Sequence, residues 1–299
     1  MKIGYPCINT AIGCTSGRTF RLKSYSEERL KETVKGNLEC LQKILEYNLA
    51  NHLLFFRICS GLVPFASHPI NTFKWQKYFI DDFQEIGDYI KRHNLRISLH
   101  PDQFTLINSI NEEIFHRSEK ELQYHAQLLD LMNLDTSAKI QIHVGGVYGD
   151  KNRSMHTFVD RYGMLEEDVK RRLVIENDER LFNVGDCLTI SSKTGIPVLF
   201  DVFHHKLNHE TDSEENYFAL ANRTWKLKKD GVAMVDYSSQ ELGGKYGQHA
   251  RTIDIDDFQS FLISTQLFDF DIMLEIKDKE ASAIKALSAA LNDTRINIL

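Results

Sequence analysis

No stretch of this sequence approaches 18 uninterrupted apolar residues, and its opening residues, MKIGYPCINT, lack the apolar segment of an export signal. We therefore expect no membrane span and an intracellular location, in the cytoplasm or nucleoid. No Pro/Gly/Ser-rich linker, low-complexity tract or internal repeat interrupts the 299 residues. This predicts one domain over residues 1–299, a size that a single barrel of alternating strands and helices reaches.

Cysteine is scarce and irregularly spaced. The five cysteines, at positions 7, 14, 40, 59 and 187, are odd in number and contain no CxxC pair. That pattern argues against a disulfide framework and against a thiolate zinc site. We therefore expect reduced thiols.

Eight short apolar runs recur along the chain, and polar or ionisable residues follow each of them. Near-continuous apolar runs are typical of strands buried on both faces of a parallel sheet. The runs are KIGYPCIN, LLFFRICS, RISLHPDQ, KIQIHVGG, RLVIENDE, PVLFDVFHH, VAMVDYSS and FDIMLEIKDK.

Helical patterns separate these runs. Apolar residues recur from Leu30 to Leu45 behind Ser26, a suitable N-cap, and a second stripe runs from Phe79 to Ile90. The alternation predicts a (β/α)8 TIM barrel. An open doubly wound sheet is the alternative, disfavoured because no glycine-rich phosphate loop follows the first strand. Further helices are predicted near 113–133, 155–172, 183–194, 211–227, 255–266 and 279–291.

Residues of metal-ligand type stand where the predicted strands end. In a TIM barrel these ends meet at one mouth, where a buried carboxylate is costly unless it is paired or bound to a cation. The candidates at these ends are His100, His143, Glu176, Asp201, His204, Asp236 and Glu275. His249, in the glycine-bearing loop GGKYGQHAR, brings the set to four imidazoles and four carboxylates.

Eight ligands exceed the needs of one ion and suit two or three divalent ions, with Glu176 as a bridge. Nitrogen and oxygen ligands without thiolate fit manganese, zinc or iron. Clustered ions of this kind polarise a phosphate and lower the pKa of a bound water. We expect Glu176, Glu275 and His143 to be essential for catalysis.

The net charge of −6, from 36 basic and 42 acidic residues, is unusual for a protein that binds nucleic acid. Four of those negative charges are the candidate carboxylate ligands, which bound cations would neutralise. Basic residues also cluster in segments that follow strands. These clusters are Arg18, Arg21 and Lys23; Lys151 and Arg153; and Lys245 and Arg251.

Eight blocks follow one another in order between about residue 1 and residue 280: IGYPCIN, RICSGLVPFASH, SLHPDQF, IHVGG, VIENDE, DVFHH, DYSSQ and LEIKDKE. As an ordered set they resemble the motifs of the UV damage endonuclease family. Members of that family are metal-dependent DNA repair enzymes on a TIM barrel related in fold to endonuclease IV.

The resemblance implies a monomer that cuts double-stranded DNA immediately 5′ of a UV photoproduct, leaving a 3′-hydroxyl and a 5′-phosphate. Manganese is the expected metal and zinc the alternative. Gln103 and Phe104 match a pair that inserts into the duplex opposite the lesion. Tyr5 and Asn9 match residues near the damaged nucleotides. The implied metal ligands are His100, His143, Glu176, Asp201, His204, His249 and Glu275.

One segment departs from the family. Met234-Val235-Asp236 stands where the family has Lys-x-His, so a carboxylated lysine is excluded, and we expect Asp236 to bind metal through oxygen. Arg57 is either a phosphate-binding or ligand-supporting group or part of a salt bridge inside the barrel. The alternatives for function are an abasic-site endonuclease, a metal-dependent sugar isomerase and a non-catalytic damage-binding protein.

Overall fold

The computed structural model describes residues 1–209 and 214–297. Eight parallel strands hydrogen-bond in chain order, and β8 pairs with β1, so the sheet closes into a barrel. The predicted TIM barrel is confirmed and the open doubly wound sheet is wrong. The strands are β1 Ile3–Pro6, β2 Phe55–Ile58, β3 Arg96–Leu99, β4 Lys139–His143, β5 Leu173–Glu176, β6 Val198–Asp201, β7 Ala233–Tyr237 and β8 Phe270–Leu274.

Helices connect the strands around the outside. No helix in the described part of the chain combines the length and apolar character of a membrane span. The α-helices are α1 Glu27–Ala50, α2 Trp75–Tyr78, α3 Ile80–Arg92, α4 Glu112–Leu131, α5 Lys151–Met164, α6 Glu167–Lys170, α7 Val184–Thr194, α8 Val202–Leu207, α9 Glu214–Arg223, α10 Leu227–Asp230, α11 Ile255–Ser264 and α12 Glu280–Ala289. Two short 3₁₀ helices cover Leu22–Ser24 and Ser60–Leu62.

Most predicted helices are confirmed, and three places differ. Ser26 caps α1 as expected, because its side chain accepts a hydrogen bond from the Arg29 amide. The helix predicted near 155–172 is two helices, since the buried Leu165 takes an extended backbone conformation between them. The helix predicted near 211–227 is also divided, into α9 and α10, and residues 211–213 lie outside the described chain. Helix α8 was not predicted; Asp201 caps it by accepting from the His204 amide.

The barrel interior is layered, because alternate residues of each strand point inward. A middle layer of buried apolar side chains lies directly below the residues at the mouth: Phe55, Val174, Leu199, Met234 and Met273. Four of them lie two residues before a candidate ligand, and Phe55 lies two before Arg57. Gly4 of β1 makes room for this layer, since a Cβ atom there would meet the Phe55 carbonyl oxygen at 1.7 Å.

Below the apolar layer, the amino-terminal end of the barrel holds buried ion pairs. Arg96 Nη1 lies 3.1 Å from Asp271 Oδ2, and Lys139 Nζ lies 2.6 Å from Asp230 Oδ1. Arg172 Nη2 lies 2.6 Å from Asp130 Oδ1. Each of these buried cations therefore has an acidic partner.

The expectation of reduced thiols is wrong for two of the five cysteines. Cys14, in the segment after β1, forms a disulfide with Cys40 of α1, and their Cα atoms are 6.0 Å apart. The two residues are 26 positions apart in sequence, a spacing that carries no motif, and only the fold brings them together. Cys7, Cys59 and Cys187 are free.

Candidate metal centre at the barrel mouth

Two groups of candidate ligands converge at the carboxyl ends of the strands. In the first group, one ligand atom from each of His100, His143 and Glu176 lies within 4.8 Å of the others. In the second group, carboxylate oxygens of Asp201, Asp236 and Glu275 satisfy the same limit. Six of the eight predicted ligands therefore lie in two adjacent clusters.

The two remaining candidates, His204 and His249, extend the first cluster across the mouth. The ring centroids of His143 and His204 are 5.9 Å apart, as are those of His204 and His249. His100 and His143 lie 5.4 Å apart by the same measure. The four imidazoles thus form a continuous row beside the carboxylates.

Three of the four imidazoles are oriented by a backbone carbonyl. The Nδ1–H groups of His100, His204 and His249 donate to the carbonyl oxygens of Pro101, Asn177 and Glu275 at 2.8, 3.1 and 3.0 Å. A hydrogen bond donated from Nδ1 fixes the tautomer and directs Nε2 toward the site, where it can bind a metal ion, as is usual for metal-binding histidines.

Glu176 lies at the centre of the site. Its Oε1 atom is 3.1 Å from His143 Nε2 and 3.7 Å from His100 Nε2. Its Oε2 atom accepts a hydrogen bond from the Gln141 side-chain amide. Burial alone would raise the pKa of Glu176, but the His143 and His100 imidazoles lower that pKa well below its usual range. The carboxylate is therefore charged and poised between two nitrogen ligands.

Asp201 carries a buried oxygen, Oδ2, that accepts no hydrogen bond and lies 3.5 Å from His204 Nδ1. Its Oδ1 atom accepts from the His204 amide at 2.6 Å, whereas Oδ2 has no hydrogen bond. Burial raises the pKa of Asp201 to about 7, against the opposing effect of the His204 imidazole. A buried carboxylate oxygen without a donor is costly, and a cation would satisfy it.

Arg57 is the one guanidinium among these carboxylates in the described chain. Its Nη1 atom donates to Glu275, and Nη2 lies 2.7 Å from Asp236 Oδ2. Burial raises the pKa of Asp236, with Arg57 opposing the rise, whereas Arg57 prevails over burial at Glu275 and lowers its pKa to about 2. The interior salt bridge considered for Arg57 is present, and Asp236 is already partly compensated by it.

Two side chains that the sequence analysis did not single out complete the site. Gln141 accepts from Arg57 at 2.7 Å and donates to Asp236 Oδ2 at 2.7 Å as well as to Glu176. Asn177 bonds to both backbone polar groups of Asp201, at 3.0 Å each. The available signal was alternation: Gln141 lies two residues before His143, so it faces the same interior.

The mouth opens into a cavity of about 690 Å³. Its lining includes His100, His143, His249 and Glu275 together with Gln103 and Phe104. The Phe104 side chain is 72% exposed, so an aromatic ring stands on the rim of the same cavity that the ligands line. The predicted inserting pair therefore adjoins the predicted metal site.

Tyr5 and Asn9 are placed differently from these two residues. Both are buried, and Asn9 Nδ2 donates to the Tyr5 hydroxyl at 2.7 Å. The Tyr5 hydroxyl in turn donates to Asn48 Oδ1 at 2.6 Å. Contact between these side chains and DNA requires this segment to open, and their lesion-binding role stays a prediction.

The donor set fits divalent cations. Imidazole nitrogens and carboxylate oxygens converge without a thiolate, one buried carboxylate oxygen accepts no hydrogen bond, and three imidazoles donate from Nδ1 to a backbone carbonyl. This mixture suits manganese, zinc or iron better than magnesium or calcium, which prefer oxygen alone.

Comparison with known proteins agrees with this geometry. The profile of the family described as UV-endonuclease UvdE matches residues 1–297. The chain belongs to the UvdE family. A UV DNA damage endonuclease from Clostridium perfringens (strain 13 / Type A) is 41% identical to this UvdE chain over 290 residues, covering 97% of this chain and 70% of that protein.

Solved structures extend the comparison of this UvdE protein. The crystal structure of SacUVDE matches with a TM-score of 0.93 at 44% identity, covering 98% of this chain and 99% of that one. The crystal structure of endonuclease IV from Thermus thermophilus matches with a TM-score of 0.60 at 16% identity, covering 84% of this chain and 94% of that one. The second likeness shows a shared fold alone.

Proposed function

We propose that this protein is a metal-dependent DNA repair endonuclease that cuts the backbone immediately 5′ of a UV photoproduct and leaves a 3′-hydroxyl and a 5′-phosphate. One observation carries the proposal: four of the candidate ligands and the exposed Gln103–Phe104 pair line the same cavity. Chemistry and damage recognition would therefore take place on one face. Membership of the UvdE family supports the same activity.

The cofactor in this proposal is two or three divalent ions, with Mn²⁺ as the expected metal and Zn²⁺ as the alternative. When bound, such ions polarise the scissile phosphate and lower the pKa of a coordinated water. In this proposal, Glu176, Glu275 and His143 are the residues that are essential for catalysis. The ligands are drawn from His100, His143, Glu176, Asp201, His204, Asp236, His249 and Glu275.

The chain's own residues hold this arrangement in place. Gln141 fixes one oxygen of Glu176, and Arg57 fixes one oxygen of Glu275. The other oxygen of each carboxylate then remains available to bind a metal ion. Because Arg57 and Gln141 are buried, they orient the carboxylates from within the barrel.

Basic residues around the mouth reconcile DNA binding with the net charge of −6. Lys277 and Lys279 line the cavity, and Arg18, Arg21 and Lys23 are exposed in the segment after β1. Loops that follow barrel strands lie at the mouth. These basic side chains therefore lie at the end of the barrel where phosphates would approach.

Gln103 and Phe104 are proposed to insert into the duplex at the lesion. A dimerised base pair is poorly stacked, so opening it costs less than opening intact DNA. An exposed apolar side chain can act as a wedge at such a step. Phe104 has this exposure, and neither it nor Gln103 offers an ionisable group for the chemistry.

The sugar-isomerase alternative needs a small closed pocket without an exposed aromatic ring after β3. The cavity of about 690 Å³ and the 72% exposure of Phe104 argue against it.

We further propose that residues 1–299 act as one domain, as a monomer and inside the cell. Light scattering on the purified protein tests the monomer.

The decisive experiment uses a duplex that carries one defined photoproduct and a label on the damaged strand. The protein is incubated with this duplex and Mn²⁺, and the products are sized. We expect one product that ends immediately 5′ of the lesion, with a 3′ end that a polymerase extends. EDTA should abolish the reaction, and an undamaged duplex of the same sequence should stay intact.

The other candidate functions give different outcomes in the same assay. An abasic-site endonuclease would cut only a matched duplex with an abasic site. A damage-binding protein would retard the photoproduct duplex in a gel without cutting it when Mn²⁺ is present. Either result would overturn the proposal.

A further inference from the structure

Cys7 and Cys59 lie beside each other where β1 and β2 end, close enough for their side chains to interact, and Cys7 lines the mouth cavity. Cys7 follows β1 and Cys59 follows β2, and the register of these neighbouring strands pairs Pro6 with Arg57. The Cys7 amide also donates to the Arg57 carbonyl at 2.8 Å. Both cysteines are partly exposed. The pair is thus accessible to small molecules and distinct from the candidate metal ligands.

Two backbone features hold these sulfur atoms together. Cys7 has a φ of 69°, in the left-handed region that residues other than glycine seldom adopt. Gly17 packs against Cys59, and a Cβ atom at position 17 would lie 2.3 Å from Cys59 Sγ. The local fold therefore sets the geometry of the pair on both sides.

The two thiols differ in acidity because their side chains interact. The hydrogen bond from Cys7 lowers the pKa of Cys59 to about 6, and the Gly61 amide adds to this effect against the opposing effect of burial. The same hydrogen bond, together with burial, raises the pKa of Cys7. A thiolate beside a thiol is the arrangement found in thiol–disulfide active sites.

We propose that Cys7 and Cys59 form a redox-active dithiol that a hydroperoxide oxidises to a reversible disulfide. The Cys59 sulfur attacks a peroxide oxygen, the O–O bond breaks, and Cys59 becomes a sulfenic acid while hydroxide leaves and takes a proton from solvent. The Cys7 sulfur then attacks the Cys59 sulfur. The S–O bond breaks, and the departing hydroxide takes the Cys7 proton as water.

The balance of this reaction is complete. The two cysteines lose two electrons and two protons, and hydrogen peroxide is reduced to two waters. Cys187 provides a matched comparison, because it is free but buried, and burial raises the pKa of its thiol. We expect Cys59 to react with hydrogen peroxide at neutral pH roughly tenfold or more faster than Cys187, as its larger thiolate fraction requires.

The test uses the full chain and hydrogen peroxide, followed by alkylation of the remaining thiols, digestion without reductant and mass spectrometry. We expect a peptide pair joined through Cys7 and Cys59 that dithiothreitol separates. The Cys187→Ser variant should give the same product. In the Cys7→Ser variant, Cys59 should stop at the sulfenic acid, which dimedone traps.

The unmodified chain decides the outcome, so the result does not depend on how well a variant folds. Full alkylation of both Cys7 and Cys59 after peroxide treatment would overturn the proposal. So would a new disulfide that joins either residue to Cys14, Cys40 or Cys187. Both results would mean that the contact between the two sulfur atoms is only packing.

Discussion

The two ends of the barrel both bury charge, but they balance it differently. At the amino-terminal end, Arg96, Lys139 and Arg172 each lie against an aspartate. At the carboxyl-terminal end, the four carboxylates Glu176, Asp201, Asp236 and Glu275 surround one guanidinium, that of Arg57. Buried charge by itself therefore does not mark a functional site in this protein. An imbalance of buried charge does.

The difference has an energetic meaning. When one partner of a buried ion pair is removed, the fold is destabilised, because the other charge is left unpaired in the interior. The surplus of buried carboxylates at the mouth is compensated only in part by Arg57 and the neighbouring imidazoles, and cations from solution would complete the balance. We therefore expect changes at the lower end to affect stability and changes at the mouth to affect metal binding and DNA cleavage.

The largest effect is expected for Glu176→Gln at the mouth. The substitution keeps the size of the side chain but removes the charge between His143 and His100. Cleavage should fall by more than the ~10–100-fold typical of losing a group that only supports a ligand. Single-turnover cleavage of a photoproduct duplex measures this, with thermal unfolding as the control for folding. Near-normal cleavage that also persists in EDTA would contradict it.

The opposite behaviour is expected for Asp230→Asn at the lower end. This change leaves the buried ammonium of Lys139 without its acidic partner. The free energy of unfolding should fall by about 3–5 kcal/mol. Cleavage per folded molecule should be unchanged at a temperature below the unfolding transition. Denaturant titration and the cleavage assay on one preparation decide it, and loss of cleavage without loss of stability would break the comparison.

Asp236→Ala tests a carboxylate that could be balanced in two ways, by the Arg57 guanidinium or by a bound metal ion. Asp236 pairs with Arg57 and also lies in the second ligand cluster. If its oxygen also binds metal, the variant should bind Mn²⁺ more weakly by at least the ~10–100-fold typical of losing a group that only supports a ligand. Electron paramagnetic resonance of free Mn²⁺ measures this without DNA. Unchanged Mn²⁺ binding and full cleavage would assign Asp236 to the Arg57 pair alone.

Phe104→Ala should weaken binding to damaged DNA more than it slows cleavage at saturating enzyme. Loss of one stacked aromatic ring costs roughly 1–3 kcal/mol, or about 5–150-fold in affinity. Leu267→Ala is the matched control, because Leu267 is exposed but precedes β8 at the lower end. Fluorescence anisotropy with a photoproduct duplex compares the two variants. Equal affinities would remove Phe104 from lesion recognition.

The smallest effect is expected for Met234→Leu. Met234 belongs to the apolar layer beneath the mouth, and a volume-conserving exchange in a core costs less than about 1.5 kcal/mol. Cleavage and Mn²⁺ binding should stay close to those of the unmodified chain. A loss of metal binding would mean that this layer shapes the site directly.

Much of the site could be predicted from sequence because its ligands follow apolar runs. His143, Glu176 and Asp201 each close such a run, and the closed barrel brings strand ends together wherever they stand in sequence. The fold class followed from the same alternation of strands and helices. Local patterns were sufficient here because the carboxyl ends of all eight strands of a TIM barrel meet at one mouth, so residues that end different strands lie close together.

Other features depend on contacts that no local pattern encodes. The Cys14–Cys40 disulfide joins residues whose spacing is unremarkable. Gln141 looks like an isolated polar residue in a strand until Arg57, Glu176 and Asp236 are placed around it. Tyr5 matched a position near the lesion by motif, yet its hydroxyl is hydrogen-bonded to Asn48 in the interior.

The barrel interior is closed below the candidate metal site by the apolar layer of Phe55, Val174, Leu199, Met234 and Met273, so the site opens only at the mouth. Water, protons and cations cannot pass through close-packed hydrocarbon at a useful rate, so ions reach the carboxylates only through the mouth. DNA bound across that mouth would therefore close the exit. Under the proposed function, ions loaded before the substrate are retained for the whole cutting event, and a chelator added after DNA binding acts only as fast as the DNA dissociates.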